Sequence, residues 1–225
     1  TPFLTIYSLP EQRVRTQWGN SGRGPHEFPI PSLGEMHEKN RVAVYSNSLN
    51  RMEMFELRAD SLVYLSAFRF PIWMKRQRNL PKPYTRLVQY NDTLFVGTSF
   101  LPRQIAVELL DMRNEQIVDA VDFPLRPADG GYSAPFECKA ALCAGRMAIA
   151  YRYIDRIELY DLTPKGFCLT HVLGSDSTQE ELCAQDRDDE MYFYYSDVVC
   201  CERYVYALWQ GVLTGNLGKR ESRIE

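Results

Sequence analysis

One short pattern returns along this chain. It reads LTIYSL at 4–9, MEMFEL at 52–57, VELLDM at 107–112 and IELYDL at 157–162, with a two-residue copy, IE, at 224–225. Each full copy runs apolar, polar, apolar, bulky, polar, apolar. That is the alternation of a β-strand with one extra apolar residue in its middle. Around each copy lie further strand-like runs. A preceding strand is expected at 41–46, 93–98, 146–151 and 203–209. A following one is expected at 13–18, 62–68, 116–123 and 167–173. A unit-opening one is expected at 32–38, 85–90, 137–142 and 196–201. Turn signals such as Asn91-Asp92, Ala144-Gly145 and Thr163-Pro164-Lys165-Gly166 separate them, and no amphipathic helix stands out. Four short antiparallel strands returning at roughly 50 residues is the period of a propeller blade. A plain sandwich would not require like segments at like spacing. The fold expected is therefore all-β, a β-propeller of four-stranded antiparallel blades. It is expected as one domain over 1–225 that begins and ends within blades, about four of them, with the remaining blades lying elsewhere in a longer protein.

The run GRGPHEF at 22–28 has the glycines of a phosphate-binding loop but not its setting. Pro25 follows the second glycine, and Pro29 and Pro31 follow the motif, so no helix opens there. Placed between an outermost strand (13–18) and the next innermost one (32–38), it reads as the crossover between blades. Its glycines would permit the reversed backbone, and Phe28 would tuck between blades.

These residues resemble a family. GRGPHEF is similar to the Gly-x-Gly-Pro-Gly-Glu-Phe signature of six-bladed propellers abundant in Bacteroidetes, described as TolB-like or NHL-like, with His26 in place of the usual glycine. RYVYALWQG at 203–211 resembles a second phrase of that family. Arg51 and Arg156, each just before a repeat strand, resemble its NHL-type strand start. The resemblance implies six blades and export to the periplasm or cell surface, commonly as a lipoprotein, and it implies no catalytic residues. Asp60-Ser61-Leu62, Asp92-Thr93-Leu94 and Asp176-Ser177-Thr178 match the O-glycosylation pattern of the same bacteria, which fits export.

The turns joining first to second and third to fourth strands are short. The other connections (19–31, 71–84, 97–104, 125–135, 174–195, 211–222) are expected to be longer and to share one face, where function would sit. That face is unevenly charged. Trp73, Lys75, Arg76, Arg78, Lys82 and Arg86 form a basic stretch, with Arg23, Arg103 and Arg152 expected from neighbouring loops. Asp176, Glu180, Glu181, Asp186, Asp188, Asp189 and Glu190 form an acidic one. Three readings stay open: solvated loops, a patch for an anionic ligand or partner, and a cation site within 186–190, whose carboxylates lack EF-hand spacing. The ligand-binding candidates are Arg23, His26, Trp73, Lys75, Arg76, Arg78, Arg103 and Arg152.

Several function classes recede. The net charge of −3 does not suit a general nucleic-acid binder, and no apolar run is long enough to span a membrane as a helix. The cysteines Cys138, Cys143, Cys168, Cys183, Cys200 and Cys201 contain no Cys-x-x-Cys pair. No motif calls for a metal or cofactor, and none is expected. No Gly-x-Ser-x-Gly occurs, and His26, His37 and His171 suggest no triad. The leading expectation is an exported, non-enzymatic binding propeller whose partner is a glycan, an anionic small molecule or a protein. An exported lyase or glycoside hydrolase with carboxylates near the central channel is the alternative. A structural module of a larger surface protein is a third reading.

Overall fold

The computed structural model describes residues 2–36, 40–49, 51–69, 84–101, 104–123, 136–177, 181 and 191–216. Sixteen strands occur among them. β1 (Leu4–Ser8) and β2 (Arg13–Trp18) form sheet I. β3 (Ser32–Gly34), β4 (Arg41–Ser46), β5 (Arg51–Arg58) and β6 (Ser61–Arg69) form sheet II. β7 (Arg86–Gln89), β8 (Leu94–Leu101), β9 (Gln104–Asp111) and β10 (Gln116–Ala120) form sheet III. β11 (Cys138–Cys143), β12 (Arg146–Tyr151), β13 (Arg156–Thr163) and β14 (Gly166–Gly174) form sheet IV. β15 (Tyr192–Cys200) and β16 (Val205–Leu213) form sheet V. In each four-stranded sheet the strands pair in chain order, so every sheet is a meander of four neighbouring strands. This is the blade expected from the repeat.

The burial of each strand follows its place. β4 and β12 are second strands, covered on both faces, and are almost wholly buried; their near-continuous apolar runs (RVAVYS, RMAIAY) are what such strands need. β6 and β14 are outermost and carry mostly exposed or half-exposed residues. The extra apolar residue of the repeat has a backbone cause. The ladder from third to fourth strand slips between Ile6 and Tyr7 in sheet I, between Met54 and Phe55 in sheet II, and between Leu159 and Tyr160 in sheet IV. A β-bulge at the same repeat position absorbs one residue; in sheet II it leaves both neighbours, Met54 and Phe55, buried.

The chain packs as two compact units, Thr1–Gly97 with Leu109–Val118, and Thr98–Glu108 with Asp119–Glu225; the boundary passes within β8, β9 and β10. In the first unit, Ala43, Tyr45, Met52 and Met54 pack against Tyr84, Leu87, Phe95, Leu110 and Met112. Glu35 N–H donates to Leu87 O (2.7 Å) and Gln89 N–H to Glu35 O (2.8 Å), laying the end of β3 beside β7. Gly97 has no room for a side chain: a Cβ there would lie 2.7 Å from the Tyr84 ring and 2.9 Å from Leu110. A second cluster joins sheet I to sheet II through Phe28, Val44 and Phe55, with Phe3 and Trp18 against them. In the second unit, small residues set a close approach. Ala141, Ala148 and Ala150 of sheet IV meet Val198 of sheet V, with Tyr195, Cys200 and Ala207 alongside.

The structure corrects five expectations about extents. The stretch 97–104 is mostly strand, since β8 continues to Leu101 and β9 starts at Gln104, and 211–213 still belong to β16. Second-to-third connections are therefore short, and the long connections are those from one sheet to the next. The opening strand of sheet II is three residues, and β10 ends at Ala120, before the predicted 123. Cys201 lies just beyond β15, outside the strand expected to hold it.

Candidate functional site

The GRGPHEF segment folds back on itself. Glu27 N–H donates to Gly24 O (3.1 Å) and Phe28 N–H to Asn20 O (3.2 Å), while the Glu27 carboxylate accepts from Gly24 N–H at 2.9 Å. That carboxylate accounts for both glycines: a Cβ on Gly22 would lie 2.1 Å from Glu27 Oε2, and one on Gly24 2.9 Å from it. Phe28 is fully buried, its ring 5.9 Å from that of Phe3. The Arg51 guanidinium lies 5.1 Å from the Phe28 ring centroid, a cation–π distance, and Arg51 Nη2 donates to Glu27 O at 2.9 Å. The segment leads from sheet I to sheet II with Phe28 buried, as expected, but the left-handed backbone expected of its glycines falls instead on His26, and Gly22 and Gly24 serve to make room for the Glu27 carboxylate.

His26 holds this crossover to sheet II. Its Nδ1 donates to Glu53 Oε2 at 2.6 Å, and Arg51 Nε lies 3.0 Å from the other carboxylate oxygen. The Glu53 side chain is 4% exposed, and that of His26 47%. The His26 ring also sits 4.9 Å from Tyr64. Its φ is +57°, in the left-handed region where glycine is at ease and histidine is strained. The histidine thus carries a backbone cost at this position, set against what its ring does.

Sheet IV shows what that is. Glu158, 6% exposed, stands where Glu53 stands in sheet II, two residues after an arginine. Its Oε2 accepts from Tyr151 at 2.8 Å and Tyr160 at 2.6 Å, and its Oε1 from Arg156 Nε at 2.8 Å. Arg156 Nη1 reaches Ser175 O at 3.2 Å, at the start of the connection that leaves the sheet. A buried carboxylate is costly unless its lone pairs are filled, and here four bonds converge on the cluster. Counted from the arginine, the positions of Tyr151 and Tyr160 are occupied in sheet II by Ser46 and Phe55. Phe55 cannot donate, and the missing bond comes from His26. Glu108, 4% exposed, holds the equivalent place in sheet III. Burial, with Glu158 beside them, pushes the Tyr151 and Tyr160 hydroxyls far above the ordinary tyrosine range. Burial followed by Glu158 does the same to the Cys138 thiol. Tyr195, which donates to Asp155 Oδ1 at 2.8 Å, is pushed up to about 12, chiefly by burial and then by that bond.

The sequence-predicted residues fall in different places. Arg23 is exposed on the crossover. His26 is there too, engaged with Glu53. Arg152 lies in the β12–β13 turn: its Nη1 donates to Glu137 at 2.8 Å, and its guanidinium is 5.3 Å from the Phe193 ring centroid. It is half-buried and ties sheet V to sheet IV rather than standing in a loop patch. Arg86 is within β7, its Nε donating to Glu35 at 2.6 Å. Trp73, Lys75, Arg76, Arg78 and Arg103, with most of the acidic stretch, lie outside the described residues. Among the described residues no three His, Cys, Asp or Glu side chains gather as a metal would require, and Cys138, Cys143, Cys168, Cys200 and Cys201 are free thiols. Sequence reasoning missed the carboxylate clusters. Their signal is an Arg-x-Glu inside an otherwise apolar strand, at 51–53 and again at 156–158.

No family model matches the chain, and no curated protein matches it. Solved structures do. One is a protein from Bacteroides fragilis described as exported, 14% identical, with a TM-score of 0.52 over 87% of this chain and 56% of that one. Hsv2 of Kluyveromyces lactis is 11% identical, with a TM-score of 0.42 over 63% of this chain and 46% of that one. The N-terminal domain of Nup159 is 12% identical, with a TM-score of 0.40 over 83% of this chain and 40% of that one. The chain thus spans roughly half the length of these neighbours or less. At 14% identity the likeness to the B. fragilis protein speaks to fold alone; the ladders of four antiparallel strands in chain order show that the chain is built of β-propeller blades.

Proposed function

We propose that this chain is the blade scaffold of an exported binding propeller, and that it takes up its ligand or protein partner through the long connections that lead from one sheet to the next. The observation that carries the reading is the contrast between its polar groups. The buried carboxylates of known surroundings, Glu53 and Glu158, are bound by Arg51, His26, Arg156, Tyr151 and Tyr160, so they hold sheets and crossovers together rather than face a substrate. The residues richest in unassigned charge, Lys75, Arg76 and Arg78, belong to a sheet-to-sheet connection. A basic stretch beside Trp73 suits an anionic ligand, an acidic glycan or an acidic protein surface. Export is supported by the family resemblance of GRGPHEF and by the description given to the B. fragilis neighbour.

The test is a binding screen of the intact protein against acidic and neutral glycans and small anions, repeated on a Lys75→Ala/Arg76→Ala/Arg78→Ala variant. The reading expects at least one acidic ligand whose binding weakens in the variant and with added salt, while the melting temperature stays within a few degrees, as exposed substitutions cost about 0.5 kcal/mol or less each. Turnover of a glycan by the intact protein, unaffected by the variant, would replace it with the hydrolase or lyase reading.

A further inference from the structure

Two cysteines stand on the facing surfaces of sheets IV and V. Side chains alternate along β11, so Cys143 shares a face with Ala141. Ala141 pairs with Ala148 in the ladder, and both meet Val198 of sheet V. By the same alternation Cys200 shares a face of β15 with Val198, and it packs on that same cluster. Cys143 is therefore on the face of sheet IV that meets sheet V, and Cys200 on the face of sheet V that meets sheet IV. Their heights along the strands also agree. The Cys200 thiol donates to Ala141 O at 3.4 Å, and Cys143 lies two residues beyond Ala141, roughly 6–7 Å of strand. Each cysteine is the last residue of its strand, and the residues between them at the interface, Ala141 and Ala148, are small.

The remaining described cysteines are placed otherwise. Cys138 is buried on β11 an odd number of residues from Cys143, hence on the other face. Cys168 is exposed on the outermost strand β14, and Cys201 is exposed beyond the end of β15. Cys143 and Cys200 are half-buried, so a small reagent can reach them. We infer that Cys143 and Cys200 form a disulfide site that links sheet IV to sheet V under oxidising conditions. With a small-molecule disulfide such as glutathione disulfide as oxidant, the thiolate of one cysteine attacks a sulfur of the reagent, forming a mixed disulfide and expelling one glutathione thiolate. The thiolate of the other cysteine attacks the protein sulfur of that mixed disulfide. The Cys143–Cys200 bond forms, and the second glutathione thiolate leaves. The two cysteines give up two protons and two electrons in all, and the reagent takes them up as two glutathione thiols. The inference stands apart from the proposed ligand-binding function, since it uses neither the basic stretch nor export.

The test is to incubate the native 225-residue chain with glutathione disulfide, block remaining thiols by alkylation, and digest with trypsin. The expected product joins peptide 140–146, which holds Cys143, to peptide 188–203, which holds Cys200 and Cys201. It should be lighter by two hydrogen atoms than the sum of the two, and dithiothreitol should separate it. Cys143→Ser and Cys200→Ser should each abolish the product, whereas Cys201→Ser and Cys168→Ser should leave it unchanged. Because the bond closes a long loop between two sheets, the oxidised chain should melt about 5 °C or more above the reduced one, a difference absent from the Cys143→Ser and Cys200→Ser variants. The unsubstituted chain decides the matter even if a serine variant fails to fold. Glutathione that stays as a mixed disulfide on Cys143 or Cys200 without the cross-linked product overturns the inference. So does a cross-link that survives Cys200→Ser through Cys201, and so does a native chain in which either cysteine joins a different partner.

Discussion

Exchange of His26 separates two opposing terms that the structure places on one residue. At φ +57° a side chain costs about 1 kcal/mol relative to glycine. Against that stands the bond to the buried Glu53 carboxylate. A hydrogen bond to a charged group contributes about 1.5–3 kcal/mol when well shielded; the histidine is about half exposed, which reduces this to about 1 kcal/mol. His26→Ala keeps the strained backbone and loses the bond, so it should be destabilised by about 1 kcal/mol or somewhat more. His26→Gly loses the same bond and relieves the strain, so it should lie close to the parent. The informative quantity is the gap between the two variants, about 1 kcal/mol in favour of glycine, or about 2–4 °C in melting temperature for a chain of this size. Urea titration at neutral pH, followed by the fluorescence of Trp18 and its neighbours, reads it directly. In a Glu53→Gln background both variants should cost less, because the bond they remove is already weakened. If alanine equals or exceeds glycine, the residue is not in the left-handed region and the account of this position is wrong.

Three other expectations follow from the geometry. Tyr151, Tyr160 and Tyr195 have hydroxyl pKa values raised in the folded state. Their stabilising effect is therefore complete below the unfolded value near 10 and is lost as pH climbs through and beyond it; absorbance at 295 nm should show the exposed tyrosines ionising first, Tyr195 late, at about pH 12, and Tyr151 and Tyr160 only together with unfolding. Gly97→Ala forces a Cβ to within 2.7 Å of the Tyr84 ring and should cost about 1–3 kcal/mol by urea titration, whereas the same change at a roomy surface site would cost almost nothing. Cys200 and Cys201 should carry no bond to each other. Alkylation of the native protein should label exposed Cys201 quickly and buried Cys138 only after unfolding, and a peptide mass that changes only on reduction would contradict this.

Much of the fold is legible in the chain because a repeat shows the same local physics several times over. The apolar doublet within LTIYSL, MEMFEL and IELYDL looks like a flaw in strand alternation when seen once; its return at one position marks the bulge. Phe28 was readable as an inter-sheet plug because a large apolar residue directly follows a glycine- and proline-rich turn. The carboxylate clusters were not readable for a related reason. Alternation assigns the glutamate of each repeat to the polar face of its strand, and only the packing of neighbouring elements turns that face inward, making an arginine two residues before it, or a histidine 27 residues away, into a necessity. The engagement of Arg152 is hidden by the same route, since a charge in a turn looks solvated until Glu137 and Phe193 close around it.

The two ways of filling a buried carboxylate differ in when they can be completed during synthesis. In sheet IV every group that binds Glu158 lies between residues 151 and 160, so the cluster closes as soon as that hairpin leaves the ribosome. In sheet II the second oxygen of Glu53 waits for His26, in a segment made earlier and belonging to no sheet. Until that segment docks, this oxygen of Glu53 lacks its bond and Arg51 alone offsets the buried charge. Sheet II therefore completes its polar bonding only with the crossover before it in place. This single histidine ties the bonding of one sheet to the connection that precedes it, at a position whose left-handed backbone would suit glycine better.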